Sequence, residues 1–290
     1  MVEFDYRRPA SLAEVCEILA KTPGSAPIAG GTDLMVQLRG NEARWGKLNC
    51  VVDLSAISEL REIRHENNDL FVGAMVTHAK VEKNSLIRTY APVLALACST
   101  VGSPQIRNRG TLGGAICNAS PASDPVPALL CLGADVLLQG AEGQRRLAVD
   151  EFITGSGRTA LRQGEIVVGF SIPLAEDWRY TFEKLGRRKA LAISRMNVAA
   201  MARQDTDGRV NELRLVPGCV FFAPCRVNEV EVMLLGQVPT HALVEQTAAQ
   251  MAAEMIRKTG VRWSTEYKQP VLQALTRRVL EQVLEVRDNG

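Results

Sequence analysis

With 290 residues, 46% of them hydrophobic, the chain is long enough for two domains and can bury a sizeable core. Lys+Arg number 34 against 32 Asp+Glu, a net charge of +2, which leaves no basic field for nucleic acid and no polybasic run for a lipid surface. No apolar run approaches the roughly 20 residues of a spanning helix, the N-terminal stretch carries acids and no apolar signal core, and the seven cysteines are scattered without zinc or iron–sulfur spacing, so a reduced, cytoplasmic protein without membrane insertion is expected.

Ser11 and Glu14 stand at capping-box spacing ahead of helically spaced apolar residues and predict a helix from Ser11 to Lys21. In "APIAGGTDLMVQLRG" a short strand meets the turn Gly30-Gly31-Thr32-Asp33 and then a short helix; "LNCVVDLS" is a second buried strand and completes a small α/β unit. From Leu60, "LREIRHE" and "DLFVGAM" pair as a hairpin turning at Asn67-Asn68, where asparagine tolerates positive φ. Helical segments follow at Thr77 to Asn84 and Ala91 to Val101. Arg107 to Leu130 reads "RNRGTLGGAICNASPASDPVPALL", small and uncharged from Gly110 to Ser123, and "PVPALLCLGA" continues it as a helix with proline in its first turn. Next come a hairpin, "DVLLQGAEGQRRLAV", and a buried strand, "EIVVGFSIP". Leu174 to Asp177 is a polar break, beyond which lie a strand "YTFEKLGR", a hairpin turning at Asp205-Thr206-Asp207-Gly208, a strand "VNELRLVPGCVF" and three helical runs. The last run carries Val271, Leu272, Leu275, Val279, Leu280, Val283 and Leu284 on one face and is expected to pack on the sheet.

Gly30-Gly31-Thr32 lies between strand and helix, where bare main-chain N–H groups and a helix dipole hold a phosphate; a tight packing turn is the other reading. Neither G-x-G-x-x-G nor Gly-Lys-Ser/Thr occurs, which excludes the two common nucleotide fingerprints. Thr111-Leu112-Gly113-Gly114 is a second glycine pair beside a hydroxyl, followed by Asn118, Ser120, Ser123 and Asp124. Two glycine turns in separate units can grip one extended ligand, with the small residues leaving room and the hydroxyls and amides supplying hydrogen bonds. His65, His78 and His241 stand alone and read as solvent or turn residues, so no histidine-based catalytic group and no metal pair is nominated.

The segments "IAGGTDL", "VGSPQIRNRGTLGGAICNASPASDPVPALL", "GEIVVGFSIP" and "YTFEKLGRRKALAISRMNVA" stand in the order and spacing of a known family. End to end, the chain resembles the FAD-binding (medium) subunit of the molybdenum hydroxylases, the group of xanthine dehydrogenase and carbon monoxide dehydrogenase, and it looks most like bacterial xanthine or nicotinate dehydrogenase FAD subunits. The resemblance implies an α+β fold: a two-part FAD-binding domain of the vanillyl alcohol oxidase (PCMH) type over residues 1–176, divided into 1–57 and 58–176, and a C-terminal domain of antiparallel sheet with helices over 177–290. It further implies that Ile28, Ala29, Gly30, Gly31, Thr32, Asp33 and Leu34 cradle the FAD diphosphate and that Thr111, Gly113 and Gly114 grip it from the second subdomain. Asp124 would bind the ribityl or adenosine portion, Val167 would touch an apolar part, Lys184 would lie near the isoalloxazine ring, and Val101, Cys117 and Ser123 complete the implied cofactor-binding set.

Read as isolated residues, Asp124 is an N-cap for the following helix and Lys184 a strand lysine facing solvent. Arg187, Arg188 and Lys189 form a basic cluster suited to an acidic partner or a dinucleotide phosphate, or simply a solvated loop. Where some members of the family place an aromatic ring near the flavin, this chain has Val101 and "ALAIS", and it lacks the cysteine-bearing insertion that some use for an extra iron–sulfur cluster. The function implied is that of an electron-transfer subunit whose own redox centre is FAD. It would take electrons from two 2Fe–2S clusters on a small partner, while a large molybdenum–pterin partner hydroxylates xanthine or another N-heterocycle, and would pass them to NAD⁺ or another acceptor in a dimer of heterotrimers. Flavin suits that position because it accepts electrons singly and releases a hydride equivalent. A self-sufficient flavin oxidase on the same fold, a carbon monoxide dehydrogenase-type medium subunit and a scaffold that has lost flavin are the alternatives.

Overall fold

The computed structural model describes residues 3–40, 48–188 and 190–287. Strands β1 (Asp5–Arg7), β2 (Ser25–Ile28) and β3 (Cys50–Asp53) form a parallel sheet of order β1-β3-β2, with α1 (Leu12–Lys21) between the first two and α2 (Leu34–Arg39) between the last two. Helix α1 starts as expected: Ser11 Oγ accepts from the Glu14 N–H, and the Glu14 carboxylate accepts from the N–H of Ala10. Strand β1 lies outside the predicted elements. Its three residues are all exposed, so it carries no hydrophobic period and owes its strand form to pairing with β3.

Two 3-10 turns (Leu54–Ala56 and Ser58–Arg61) lead into the predicted hairpin, β4 (Ile63–Glu66) and β5 (Asp69–Gly73), with Asn67 at φ 55°. Helices α3 (His78–Lys83), α4 (Ser85–Tyr90), α5 (Pro92–Ser99), α6 (Pro104–Arg109), α7 (Leu112–Asn118) and α8 (Pro125–Leu132) follow. The chain then forms β6 (Asp135–Gly140), β7 (Gly143–Ala148), α9 (Val149–Phe152), β8 (Ile153–Gly155), β9 (Arg158–Thr159) and β10 (Ile166–Pro173). Strand β10 is central in an antiparallel sheet of order β4-β5-β10-β6-β7, because its residues are buried along nearly their whole length.

Three local readings change. Sequence periodicity predicts neither α4 nor α6; each is a six-residue helix whose start is made by a single side chain, Asn84 accepting from Ile87 N–H and Ser103 from Ile106 N–H. The second glycine turn is the first turn of a helix, α7, with Thr111 Oγ1 accepting from the Gly114 N–H. Glycine costs about 1 kcal/mol relative to alanine inside a helix. Tertiary packing overrides that cost: Gly113 N–H donates to the Ala74 carbonyl at 2.9 Å, and a Cβ on Gly113 would sit 2.7 Å from the same oxygen.

A third sheet, β11 (Arg179–Gly186), β12 (Ser194–Gln204) and β13 (Val210–Gly218), is antiparallel and is followed by α10 (Asn228–Glu231), α11 (His241–Thr259) and α12 (Thr265–Val283). The β12–β13 turn is the predicted one, with Gly208 at φ 83° and the Asp205 carboxylate accepting from the N–H groups of Asp207 and Arg209. Strand β13 ends at Gly218, short of the predicted Phe221, because Cys219 adopts a left-handed φ of 62°. In β12, Met196, Val198, Ala200 and Ala202 share a core with α11 and α12, while Ala199 and Met201 join the core that contains α5 and α8. A strand buried on both faces needs apolar residues at every position, which is why this one reads Val-Ala-Ala-Met-Ala without polar alternation. Helix α12 buries Leu272, Leu275, Thr276, Val279, Leu280 and Val283 against β11, β12 and α11, the predicted face. Among the described residues, no helix is long and apolar enough to cross a membrane.

Candidate functional site

The loop between β2 and α2 and the start of α7 meet across one cleft of about 380 Å³. Their approach is main chain to main chain: a Cβ on Gly30 would lie 2.0 Å from the Arg109 carbonyl oxygen, and Gly31 has a φ of 75°. Side chains stitch the same seam, since Gln37 Nε2 donates to Asn118 Oδ1 at 3.2 Å and Asn118 Nδ2 donates to Asp33 Oδ1 at 3.1 Å. The two glycine motifs read from sequence as separate turns are therefore the two lips of one opening.

Ala29, Gly30, Gly31, Thr32, Asp33 and Leu34 line the cleft from one side, and Thr111, Gly113, Gly114, Cys117 and Val167 from the other. Ile28 turns away and packs with Ala26, Leu48 and Val51, because strand alternation points it off the cleft. Val101 lies just past α5, where its carbonyl accepts from the Arg107 guanidinium at 3.2 Å. In the lining, Glu165 is held by two Arg145 hydrogen bonds of 2.6 and 2.7 Å, and these keep its carboxyl below the ordinary carboxylate range. A lining carboxylate so neutralised tolerates an anionic neighbour. Burial drives the Cys117 thiol up to about 12, so it lines the cleft as a small neutral group.

His78 is, with Glu165 and Gln37, among the cleft residues absent from the expected set: it is the first residue of α3, only 4% exposed, and lies in neither a turn nor solvent. Burial, with the Arg107 charge second, brings its imidazole down to about 4. Between about pH 6.5 and 4 the unfolded chain binds a proton that the folded chain refuses, so stability falls as pH falls through that window. Urea unfolding at pH 7 and pH 5 is expected to show a loss of about 2 kcal/mol from this group in the wild type. His78→Phe should flatten that difference; an equally steep variant would assign it elsewhere.

Asp124, Ser123 and Lys184 lie at a second place, where the turn before α8 meets the third sheet. Asp124 is 5% exposed and makes no cap bond to α8. Its Oδ2 pairs with Lys184 Nζ at 2.5 Å, and its Oδ1 accepts from Ser194 Oγ at 2.6 Å and Asn197 Nδ2 at 3.0 Å. Lys184 Nζ also donates to the Thr100 carbonyl at 2.9 Å, so this is no solvent-facing lysine, and Asp124, though it stands at the N-cap position of α8, turns its carboxylate to Lys184 and the third sheet instead of capping. Ser123 Oγ and Asn197 Oδ1 are buried without a hydrogen-bond partner among the described residues. Arg188 folds back onto the carbonyls of Ala190 and Leu191, and Lys189, the third member of the basic cluster, lies outside the described residues.

Residues 2–175 match the family model described as the FAD binding domain in molybdopterin dehydrogenase, and residues 180–283 match that of the CO dehydrogenase flavoprotein C-terminal domain. The chain is 32% identical over 296 residues to the nicotinate dehydrogenase FAD-subunit of Eubacterium barkeri, covering 100% of this chain and 99% of that one. It is 29% identical to the xanthine dehydrogenase FAD-binding subunit of Escherichia coli O157:H7, over 96% of this chain and 95% of the relative. Among solved structures, carbon monoxide dehydrogenase from Hydrogenophaga pseudoflava, in a form lacking the Mo-pyranopterin moiety of the molybdenum cofactor, superposes with a TM-score of 0.89 at 26% identity, covering 98% of each chain.

Proposed function

The chain belongs to the FAD-binding family of the molybdopterin dehydrogenases, as a flavoprotein medium subunit of the molybdenum hydroxylase type, and from that premise we propose its place in an electron-transfer chain. It takes electrons from 2Fe–2S clusters on a small partner and passes them to NAD⁺. The large molybdenum–pterin partner oxidises an N-heterocycle of the xanthine or nicotinate kind, a reading supported by the relatives that bear those names. A carbon monoxide dehydrogenase-type assignment is the second reading, supported by the structural likeness.

The observation that supports the cofactor's placement is the seam of the two glycine lips, where any side chain on Gly30 would occupy the main-chain space of Arg109; Gly113 packs as closely on Ala74 behind the second lip. FAD, when bound, supplies the exchange between single-electron transfer and two-electron hydride transfer. Gly30, Gly31 and Thr32 would hold the diphosphate from one lip and Thr111 would face it from the other, where Gly113 and Gly114 leave room while their own N–H groups are bonded to the Ala74 carbonyl and to Thr111 Oγ1; Val167 would give an apolar wall. Ser123, whose hydroxyl has no partner among the described residues, and Lys184, anchored by Asp124, lie apart from the cleft lining and would meet a further part of the cofactor. We divide the chain at 176/177, where Asp177 has a φ of 59° between β10 and β11, into an FAD-binding part (1–57 and 58–176) and a sheet-and-helix part.

Assembly with partners is supported by large apolar side chains exposed around the ends of α11 and α12. Phe222 is 67% exposed and Trp263 97%, and the Arg262 guanidinium, next to Trp263, lies over the Phe222 ring. Anaerobic titration of the copurified complex with NADH, followed by visible absorption, tests the reading. Bleaching of the flavin bands is the expected result; an unmoved flavin spectrum excludes NAD⁺ as acceptor, and an assembled complex without flavin overturns the reading.

A further inference from the structure

The His78 ring has two distinct edges. Nδ1 lies 3.6 Å from the Cys98 thiol, which is fully buried and which burial keeps protonated, a geometry in which the S–H, the better donor of the pair, can point at an Nδ1 lone pair. A neutral imidazole that accepts at Nδ1 carries its proton on Nε2. The opposite edge packs on Gly110: a Cβ there would sit 3.1 Å from Cδ2 and 3.3 Å from Nε2. The backbone clamps the ring as well, with His78 N–H donating to the Gly110 carbonyl at 3.0 Å and Thr77 bridging to Thr111. The side-chain hydrogen-bond contact of His78 among the described residues is at Nδ1, which leaves Nε2 for whatever enters the cleft that His78 lines.

We propose that His78 is a cofactor-binding residue, a neutral imidazole locked by Cys98 in its Nε2–H tautomer and donating that proton in a hydrogen bond to a diphosphate oxygen of FAD. The inference rests on the reading of the cleft as the FAD site. A neutral donor suits this wall: Arg107, whose charge acts on the ring, is already engaged by Glu82 at 3.2 Å and by the carbonyl of Val101, and a second buried positive charge near it would be repelled. Cys98 and Gly110 acquire roles through the same contact, the first orienting the ring and the second leaving room for it.

The full-length protein, stripped of flavin and titrated with FAD by fluorescence quenching, tests the assignment. His78→Gln, whose amide nitrogen reaches the position of Nε2, is expected to bind within about threefold of wild type, and His78→Phe, which keeps apolar volume without a donor, about ten- to a hundredfold more weakly. Wild-type affinity in His78→Phe overturns the proposal, whereas failure of the wild type itself to bind FAD overturns the reading of the cleft. Because the phenylalanine variant can misfold, imidazole ¹⁵N resonances of the wild type are the second measurement. An Nε2–H tautomer whose signal moves on adding FAD is expected; an Nδ1–H tautomer, or an Nε2 signal indifferent to FAD, overturns the proposal.

Discussion

Asp124→Ala is expected to destabilise the protein by about 3–5 kcal/mol, the usual cost of leaving one member of a buried ion pair alone. The Lys184 side chain is only 12% exposed, and its ammonium would keep the Thr100 carbonyl as a partner but lose its counter-charge. Ser194 Oγ and Asn197 Nδ2 would lose their shared acceptor in the same step. For a chain of this size each kcal/mol moves the melting temperature by about 2–4 °C, so a fall of about 10 °C is expected. The double variant Asp124→Leu with Lys184→Met removes both charges and should melt above Asp124→Ala, because apolar residues of similar volume replace a buried pair at little cost. Thermal unfolding of the two variants checks this, and a single variant melting within about 2 °C of wild type would show that water reaches Lys184.

Gly30→Ala is expected to abolish flavin retention. Its Cβ would meet the Arg109 oxygen at 2.0 Å and the Arg109 carbonyl carbon at 2.7 Å, both main-chain atoms that have no rotamer to adopt, so the lips of the cleft must separate. Overpacking of this kind costs about 1–3 kcal/mol even where side chains can yield, which is enough to lower FAD affinity at least about fivefold. Gly40→Ala is the matched control: its Cβ would make only an ordinary contact, 3.4 Å from the Val36 oxygen, with φ at −75°. The ratio of flavin to protein absorbance after purification reads both. Normal flavin in Gly30→Ala would mean that the two lips open without affecting the cofactor.

Much of the fold was legible wherever the determinant is local. Ser11 with Glu14, the asparagine pair at Asn67, the Asp205–Gly208 turn and the apolar stripe of α12 each act within a few residues, so their spacing alone predicts the element. The same holds for the glycine lips, because a demand for main-chain approach excludes side chains at Gly30 and Gly113 whatever closes on them. The exposed strand β1 and the short helices α4 and α6 were not legible, since their order comes from pairing with β3 or from one capping side chain. Periodicity needs a longer run than these elements provide.

Residue order alone carries the glycine motifs, the buried strands, the amphipathic helices and, through four motifs in register, the family. Tertiary structure decided which polar residues act together. Asp124 meets Ser194 and Asn197 across 70 and 73 residues of chain, and His78 meets Cys98 across 20, while Ile28 and Val101 fall outside the cleft although their motifs border it. The physical reason is range: backbone propensity and hydrophobic period act over one turn or one strand. The partner, tautomer and exposure of a buried polar group depend on whichever element packs against it.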